Sequence, residues 1–165
     1  MIMFLLTLAV QTASPPTPSG EQPVAPYVQS DRNAGARPFD DGTMWRAFHG
    51  NEGVARIVDR LVARNVADPR ISDIFKGQDL ARLRRTLKEQ FCYILAGGCY
   101  YSGRDMRTAH TDMGIQDADM AALVENLQAA MREEGVSFPA QNRLLARLAP
   151  MRRDIVKIEG DRHGQ

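Results

Sequence analysis

The feature that most restricts the fold of this chain is the helical spacing of its apolar residues from position 44 onward. Apolar side chains recur three and four residues apart in four segments, which places each set on one face of a helix. The sets are Val54, Ile57, Val58, Leu61 and Val62; Leu80, Leu83, Leu87, Phe91 and Ile94; Met120, Leu123, Val124, Leu127 and Met131; and Leu144, Leu148, Met151 and Ile155. No segment alternates apolar and polar residues as a strand would. The sequence predicts an all-α fold of about four main helices with short connections.

Residues that stop or cap helices divide these segments. Asp68-Pro69 is expected to end the first helix and Gly97-Gly98 the second. Asp117 is expected to cap the third helix, which Gly135 then ends. Pro150 is expected to kink the fourth helix or divide it in two.

The first 43 residues differ in composition from the rest. Residues 1–14 hold an apolar run followed by small residues, which resembles the hydrophobic and cleavage regions of a secretory signal peptide. No Lys or Arg precedes the run, so a frayed hydrophobic N-terminus is the alternative. Residues 15–43 hold six prolines among Gly, Ser and Gln, which predicts a flexible tether. We expect an exported chain, periplasmic or secreted, or a cytoplasmic one if the run is no signal peptide.

The folded part is expected to be one domain over residues 44–158, followed by a polar tail over residues 159–165. The chain has 165 residues, enough to bury one sizeable core. Its net charge of +1 provides no general attraction to nucleic acid. The longest apolar run is half of the roughly 20 residues that span a bilayer, so no integral membrane protein is expected.

A segment between the second and third helices carries the most informative side chains. It leads to His110, the one of three histidines with a core-like setting. Imidazole is a common ligand of iron and zinc, and Met106 lies one helical turn earlier on the same face. From spacing alone, a capping or surface histidine is the more common explanation. Zinc-protease, P-loop and serine-hydrolase motifs are absent from the sequence.

The run from Tyr101 to Ile115, YSGRDMRTAHTDMGI, strongly resembles the proximal-helix motif of group I truncated hemoglobins. In that motif a Tyr-Thr-Gly-Arg-Asp-Met run leads to the histidine that binds heme iron. Ala67 to Ile71 with Phe75, and Leu148 to Val156, resemble the end of the second globin helix and the last helix. The resemblance implies a two-over-two helical sandwich around heme b, with His110 as the iron ligand.

The resemblance also implies which residues surround the heme. Aligning Ala67-Asp68-Pro69 puts Val62 where many group I members have a tyrosine whose hydroxyl binds oxygen. The other implied contacts are Phe75, Leu83, Arg84 (to a propionate), Leu87, Phe91, Met106, Ile115 and Leu123. Such an apolar distal wall is expected to retain oxygen weakly, because each missing hydrogen bond removes about 1 kcal/mol. Tyr93 would restore a hydroxyl only if its ring turned inward.

The function that the resemblance implies is reversible binding of oxygen, nitric oxide or carbon monoxide, with no catalytic side chain. An enzymatic extension is the oxygen-dependent conversion of nitric oxide to nitrate, which needs a reductase that the sequence does not identify. We expect a monomer or a weak dimer. The alternative from another class is a heme-free, secreted helical interaction domain with a globin-like fold.

The two cysteines, Cys92 and Cys99, lie on either side of Gly97-Gly98, where the chain can turn back. A short-loop disulfide is therefore feasible. The resemblance supports a paired role, since the same spacing occurs in a subset of truncated hemoglobins with an apolar residue at the Val62 position. In an oxidising compartment the bond persists, whereas in the cytosol both residues are expected to be buried thiols.

Overall fold

The computed structural model describes residues 16–156. Its α-helices are α1 Thr43–Ala47, α2 Gly50–Ala67, α3 Ser72–Phe75, α4 Leu80–Ile94, α5 Met106–Ala109, α6 Asp117–Glu133, α7 Phe138–Leu148 and α8 Arg152–Ile155. Two 3-10 turns cover Asp31–Ala34 and Ala149–Met151. Residues 16–156 contain no strand, so the all-α prediction is confirmed. Within the same range, no helix has the length and apolar character needed to cross a membrane. The predictions for residues 1–14 and 159–165 lie outside the described residues.

The main helices end close to the predicted residues. α2 stops at Ala67, directly before Asp68-Pro69. Pro150 lies in the 3-10 turn that separates α7 from α8, so it divides the fourth predicted helix. The predicted cap of α6 was wrong by one residue. Gln116 precedes the helix, and its N–H donates to the Asp119 carboxylate at 2.9 Å, which satisfies a backbone donor that the helix cannot.

The long helices form two packed pairs. α2 packs against α4 and also against α6, and α6 packs against α7. The apolar stripe of α2 is buried, with Ile57, Val58 and Val62 fully hidden from solvent. Leu83 and Leu87 on α4 are only partly buried. They border an internal cavity, and this open space explains why a regular apolar stripe is not closely packed along its whole length.

The junction of α1 and α2 depends on a close backbone approach at Gly53. A Cβ atom at this position would lie 2.0 Å from the carbonyl oxygen of Phe48. Phe48 is fully buried, so the neighbouring backbone has little freedom to move away. Gly53 therefore allows α1 to fold back onto the start of α2.

The prediction of a flexible tether was wrong for the part of residues 15–43 that the structure describes. Ala34 and Phe39 are buried in the core cluster. The N–H of Phe39 donates to the Ile94 carbonyl at 2.8 Å, and the Arg147 guanidinium lies 4.1 Å from the centroid of the Phe39 ring. A few anchoring side chains thus hold a segment whose average composition is typical of disorder.

Cys92 and Cys99 form a disulfide, with their Cα atoms 5.7 Å apart. Gly97 lies within the closed loop, where a Cβ atom would be 2.8 Å from the Cys92 sulfur and from the Trp45 ring. The absence of a side chain at Gly97 therefore lets the loop close against Trp45. The bond ties the end of α4 to the segment that leads to His110.

Candidate heme site

A cavity of about 490 Å³ lies between the two helix pairs. Side chains from every helix from α2 to α8 contribute to its wall, together with part of the chain that precedes α1. Most of these side chains are aliphatic or aromatic. The volume falls within the roughly 300–1,000 Å³ that cofactor and ligand pockets occupy, and the apolar wall is also typical of them.

Most of the residues that the sequence assigned to a heme site lie on this wall. They are Phe75, Leu83, Leu87, Phe91, Met106, His110, Ile115 and Leu123. Arg84 does not, because its side chain lies outside the cavity, 3.7 Å from Asp59. The structure therefore gives no support to the predicted propionate contact of Arg84, which stays a prediction. Tyr93 is also absent from the wall, so its hydroxyl does not restore a donor there.

The structure does not place Val62 on the cavity wall, where the sequence predicted it. Val62 is fully buried in the core, and α2 instead contributes Leu61 and Asn65 to the cavity. Neighbouring residues of a helix point about 100° apart, so a face that presents Leu61 turns Val62 away. The alignment at Ala67-Asp68-Pro69 fixes how many residues separate a position from the end of α2. It does not determine which residue of that turn faces the cavity once the helices are packed.

His110 directly follows α5, and its side chain lies on the cavity wall. Its Nδ1 atom is 2.7 Å from the carbonyl oxygen of Met106, one turn earlier. A carbonyl oxygen can only accept, so Nδ1 carries the proton and Nε2 keeps its lone pair. Burial lowers the pKa of His110 and outweighs the opposing effect of the Met106 carbonyl. The imidazole is thus neutral at pH 7 with a fixed tautomer, which is the form that ligates a metal.

Local contacts in the segment before His110 fix where α5 begins. The Asp105 carboxylate caps α5 by accepting a backbone N–H of the first turn at 3.0 Å. The ring of Tyr101 folds over Gly103, where a Cβ atom would lie 2.2 Å from the Tyr101 oxygen. The Tyr101 hydroxyl then donates to the Arg104 carbonyl at 3.1 Å. The tyrosine, glycine and aspartate of the sequence motif therefore position the histidine.

Residues 21–28, here called the N-terminal strap, close one side of the cavity. Its contributions to the wall are Gln22, Pro23, Val24 and Tyr27. The Tyr27 hydroxyl donates to the Ser102 carbonyl at 2.6 Å, and the Arg104 guanidinium lies 5.3 Å from the centroid of the Tyr27 ring. The strap is thus fastened to the segment that positions His110.

Glu21 fastens the other end of the strap to α4. Its side chain is only 3% exposed and accepts from Arg82 Nε at 3.2 Å and Arg85 Nη2 at 2.9 Å. The hydrogen bond from Arg85 lowers the pKa of Glu21. Sequence reasoning missed the strap because the basic face of α4 has the pattern of a solvated surface. The available signal was an acidic residue in an otherwise uncharged, proline-rich stretch.

The hydroxyl groups on the cavity wall are already engaged with backbone carbonyls. Thr86 Oγ1 donates to the carbonyl of Arg82 at 3.0 Å. The hydroxyls of Tyr27 and Tyr101 donate to the carbonyls described above. Within residues 16–156, no hydroxyl on the wall remains free to donate into the cavity.

Two helix pairs around an apolar cavity, with one oriented and neutral histidine, are the arrangement expected of a globin. Residues 43–157 match the family model of the bacterial-like globins, and the chain belongs to that family. The family is one of heme-binding proteins that bind gaseous ligands.

The chain is similar to group 1 truncated hemoglobins. It is 25% identical to that of Tetrahymena pyriformis over 114 residues, which cover 69% of this chain and 94% of the relative. It is 32% identical to that of Synechocystis sp. over 98 residues, or 57% of this chain and 79% of the relative.

Solved structures agree with this similarity. The truncated hemoglobin of Tetrahymena pyriformis in its Fe(III) form superposes with a TM-score of 0.66 at 25% identity, covering 68% of this chain and 97% of that one. The 2/2 hemoglobin of Synechococcus sp., in the cyanomet state with covalently attached heme, gives 0.64 with the same identity and coverage. The chain therefore has the two-over-two truncated-globin fold.

The globin family implies a heme cofactor, and the residues of the cavity fit that group. An apolar wall suits a flat macrocycle, and a neutral imidazole with a free Nε2 suits the axial position of its iron. Arg82 and Arg104 also lie on the wall and supply positive charge for carboxylates.

Proposed function

We propose that this chain holds heme b through Nε2 of His110 and reversibly binds a diatomic ligand at the iron. The observation that carries the proposal is the hydrogen bond between His110 Nδ1 and the Met106 carbonyl, inside an apolar cavity of about 490 Å³. This bond orients the ring and leaves Nε2 as the ligating atom. Heme, when bound, supplies the iron at which oxygen, nitric oxide or carbon monoxide coordinates.

The chain's own residues exclude water and hold the edge of the cofactor. Phe75, Leu83 and Leu87 provide an apolar wall. Arg82 is shared with Glu21 and Asp79, whereas Arg104 donates only to the Ala25 carbonyl, at 3.3 Å, among the described groups. We therefore assign the main propionate contact to Arg104, whose guanidinium has more donors left to offer.

The wall supports weak retention of oxygen. Iron-bound oxygen carries partial negative charge, and the wall offers it no free hydroxyl. Each hydrogen bond that is missing costs about 1 kcal/mol, and 1.4 kcal/mol corresponds to a tenfold change in dissociation. Nitric oxide and carbon monoxide depend less on such a bond, so the site is expected to favour them over oxygen.

We also propose that the chain works in an oxidising compartment. The Cys92–Cys99 disulfide supports this, since such bonds persist mainly outside the cytosol. Alkylation of free thiols in intact cells, followed by mass spectrometry, tests the proposal. The expected result is an unmodified, bonded pair, and two alkylated cysteines would contradict it.

Absorption spectra of the full chain with hemin test the proposed function. They are recorded in the ferric, dithionite-reduced and carbon monoxide-bound states. We expect stoichiometric uptake and a sharp Soret band. His110→Gly should lose the proximal ligand, and added imidazole should restore the spectrum, which separates lost ligation from a misfolded variant. Uptake that does not depend on His110 would refute the proposal, and no uptake at all would favour the heme-free interaction domain.

A further inference from the structure

One buried polar side chain on the cavity wall carries a donor group that no hydrogen bond among the described residues uses. Asn65 comes from α2, one turn after Leu61, and is only 1% exposed. Burying an amide costs free energy unless its polar atoms are bonded. The hydrogen bonds of Asn65 therefore indicate which of its two ends faces the cavity.

The orientation of Asn65 follows from a fixed chain of donors and acceptors. Asp68 accepts from Arg70 Nη2 at 2.8 Å, and hydrogen bonds from Arg70 hold the pKa of Asp68 well below its usual range. An ionised carboxylate can only accept, so the Asn126 atom 3.0 Å from Asp68 is the amide nitrogen. The same nitrogen lies 3.1 Å from Oδ1 of Asn65. Asn65 must present its oxygen to Asn126, and its own Nδ2 points elsewhere.

The Nδ2 group is the end of the Asn65 side chain that its hydrogen bonds leave unused. It donates to no group in the described part of the chain. Over the same residues, no buried side-chain nitrogen or oxygen is both sealed and without a partner. An unbonded Nδ2 must therefore keep some accessible surface, and the cavity is the open space that Asn65 borders.

Two buried side-chain amides line this wall, and Asn65 is the one whose nitrogen donates to no described group. Gln90, the other buried amide there, donates through Nε2 to the Ala34 carbonyl at 2.8 Å. The wall hydroxyls are engaged with carbonyls, and His110 is assigned to the iron. Asn65 enters from α2 and His110 follows α5, so the two reach the cavity from different elements.

We propose that the side-chain amide of Asn65 donates the hydrogen bond to the ligand on the iron and sets the residence time of oxygen. The inference rests on the proposed heme binding. A donor in a dry pocket stabilises the negative charge on bound oxygen and has little effect on carbon monoxide, which carries less charge. A single amide donor is consistent with the weak retention proposed above.

The test uses the full-length chain loaded with heme. Asn65→Leu keeps a similar volume and removes the donor. We expect oxygen to dissociate about tenfold faster, since about 1.4 kcal/mol corresponds to a factor of ten. Carbon monoxide dissociation should change less than about twofold, and the infrared stretching frequency of bound carbon monoxide should rise because a positive contact is lost.

Val62→Thr is the matched control. The substitution adds a hydroxyl with little change in side-chain volume. Residue 62 is on the same helix as Asn65, but it does not line the cavity. We expect oxygen dissociation and the carbon monoxide stretch to match the unsubstituted chain. A slower oxygen release in this variant would place position 62 at the ligand and overturn the inference.

The outcomes separate this inference from the proposed function. If the unsubstituted chain takes up no heme, the proposed function itself fails. If Asn65→Leu binds heme normally but releases oxygen at an unchanged rate, heme binding stands and the inference is overturned. Should Asn65→Leu not fold, Asn126→Leu decides, because it leaves Asn65 in place and frees its amide to rotate. Faster oxygen release supports the inference, and unchanged release together with an unchanged carbon monoxide stretch refutes it.

Discussion

Neutralising Glu21 should loosen the N-terminal strap and speed the loss of heme. Glu21→Gln keeps the shape of the side chain and removes the charge that two guanidinium groups share. The carboxylate is 3% exposed, whereas Arg82 and Arg85 are 20% and 28% exposed. Water can therefore solvate the arginines after the change, but it reaches position 21 poorly while the strap is docked.

The exposed fractions of these three side chains determine how much free energy the docked strap loses. Hydrogen bonds to charged groups contribute about 1.5–3 kcal/mol each when a partner is removed. Glutamine keeps part of the bonding and the arginines recover hydration, so we take about 2 kcal/mol for the docked strap as a whole. This free energy raises the population of the open strap by roughly 30-fold. Because the strap forms part of the cavity wall, heme release should accelerate by up to that factor.

Transfer of heme to an excess of a tighter-binding apoglobin, followed at the Soret band, measures the release rate. Glu52→Gln is the control, since it removes the same charge from a side chain that is 88% exposed. High salt should weaken the effect of Glu21→Gln only slightly, because the pair is largely buried. Equal release rates for Glu21→Gln and the unsubstituted chain would refute the role of the strap as a wall.

Three further predictions concern stability. Gly53→Ala should lower the free energy of unfolding by more than about 2 kcal/mol, because the added Cβ would lie 2.0 Å from a carbonyl oxygen. Urea unfolding measures this loss, and a value below about 0.5 kcal/mol would contradict the prediction. Replacing Cys92 and Cys99 with serine should cost about 2–3 kcal/mol through the lost loop constraint, and coincident urea transitions would disprove it. The hydrogen bond from Arg56 is the main cause that lowers the pKa of Glu134 from 4.5 to about 2. Its stabilisation is therefore complete above pH 4.5 and is lost as the pH falls toward 2, so Glu134→Gln should flatten the Tm against pH in that window.

The fold could be predicted from local signals because helix-breaking residues mark where the main helices end. Pro69 follows α2, Gly97 follows α4, and Pro150 separates α7 from α8. Between these points, the spacing of apolar residues assigns a buried face without knowledge of the partner. The run that ends in His110 was recognised by its resemblance to the truncated-hemoglobin motif, and the structure shows that its glycine and aspartate have local backbone roles.

The residues that α2 contributes to the wall and the strap could not be predicted, because both depend on contacts between distant segments. Whether Leu61 or Val62 lines the cavity is decided by how α2 packs on α4 and α6, and both residues belong to the same apolar stripe. Asn65 carried a signal that was passed over, namely an amide at the helical spacing of that stripe. The strap is held by a few side chains, chiefly Glu21 and Tyr27. The average composition of a proline-rich stretch does not reveal such individual anchors.

The strap and the Asn65 network should control two different rates independently. The network runs from Asn65 through Asn126 to Asp68, across α2 and α6. The strap is fastened to α4 and to residues 102–104, and the two sets share no residue. Because substitutions without a common partner usually act additively, Asn65→Leu combined with Glu21→Gln should show the oxygen release of the first and the heme release of the second. A combined variant whose oxygen release differs from that of Asn65→Leu by more than about twofold would mean that the strap also shapes the ligand pocket.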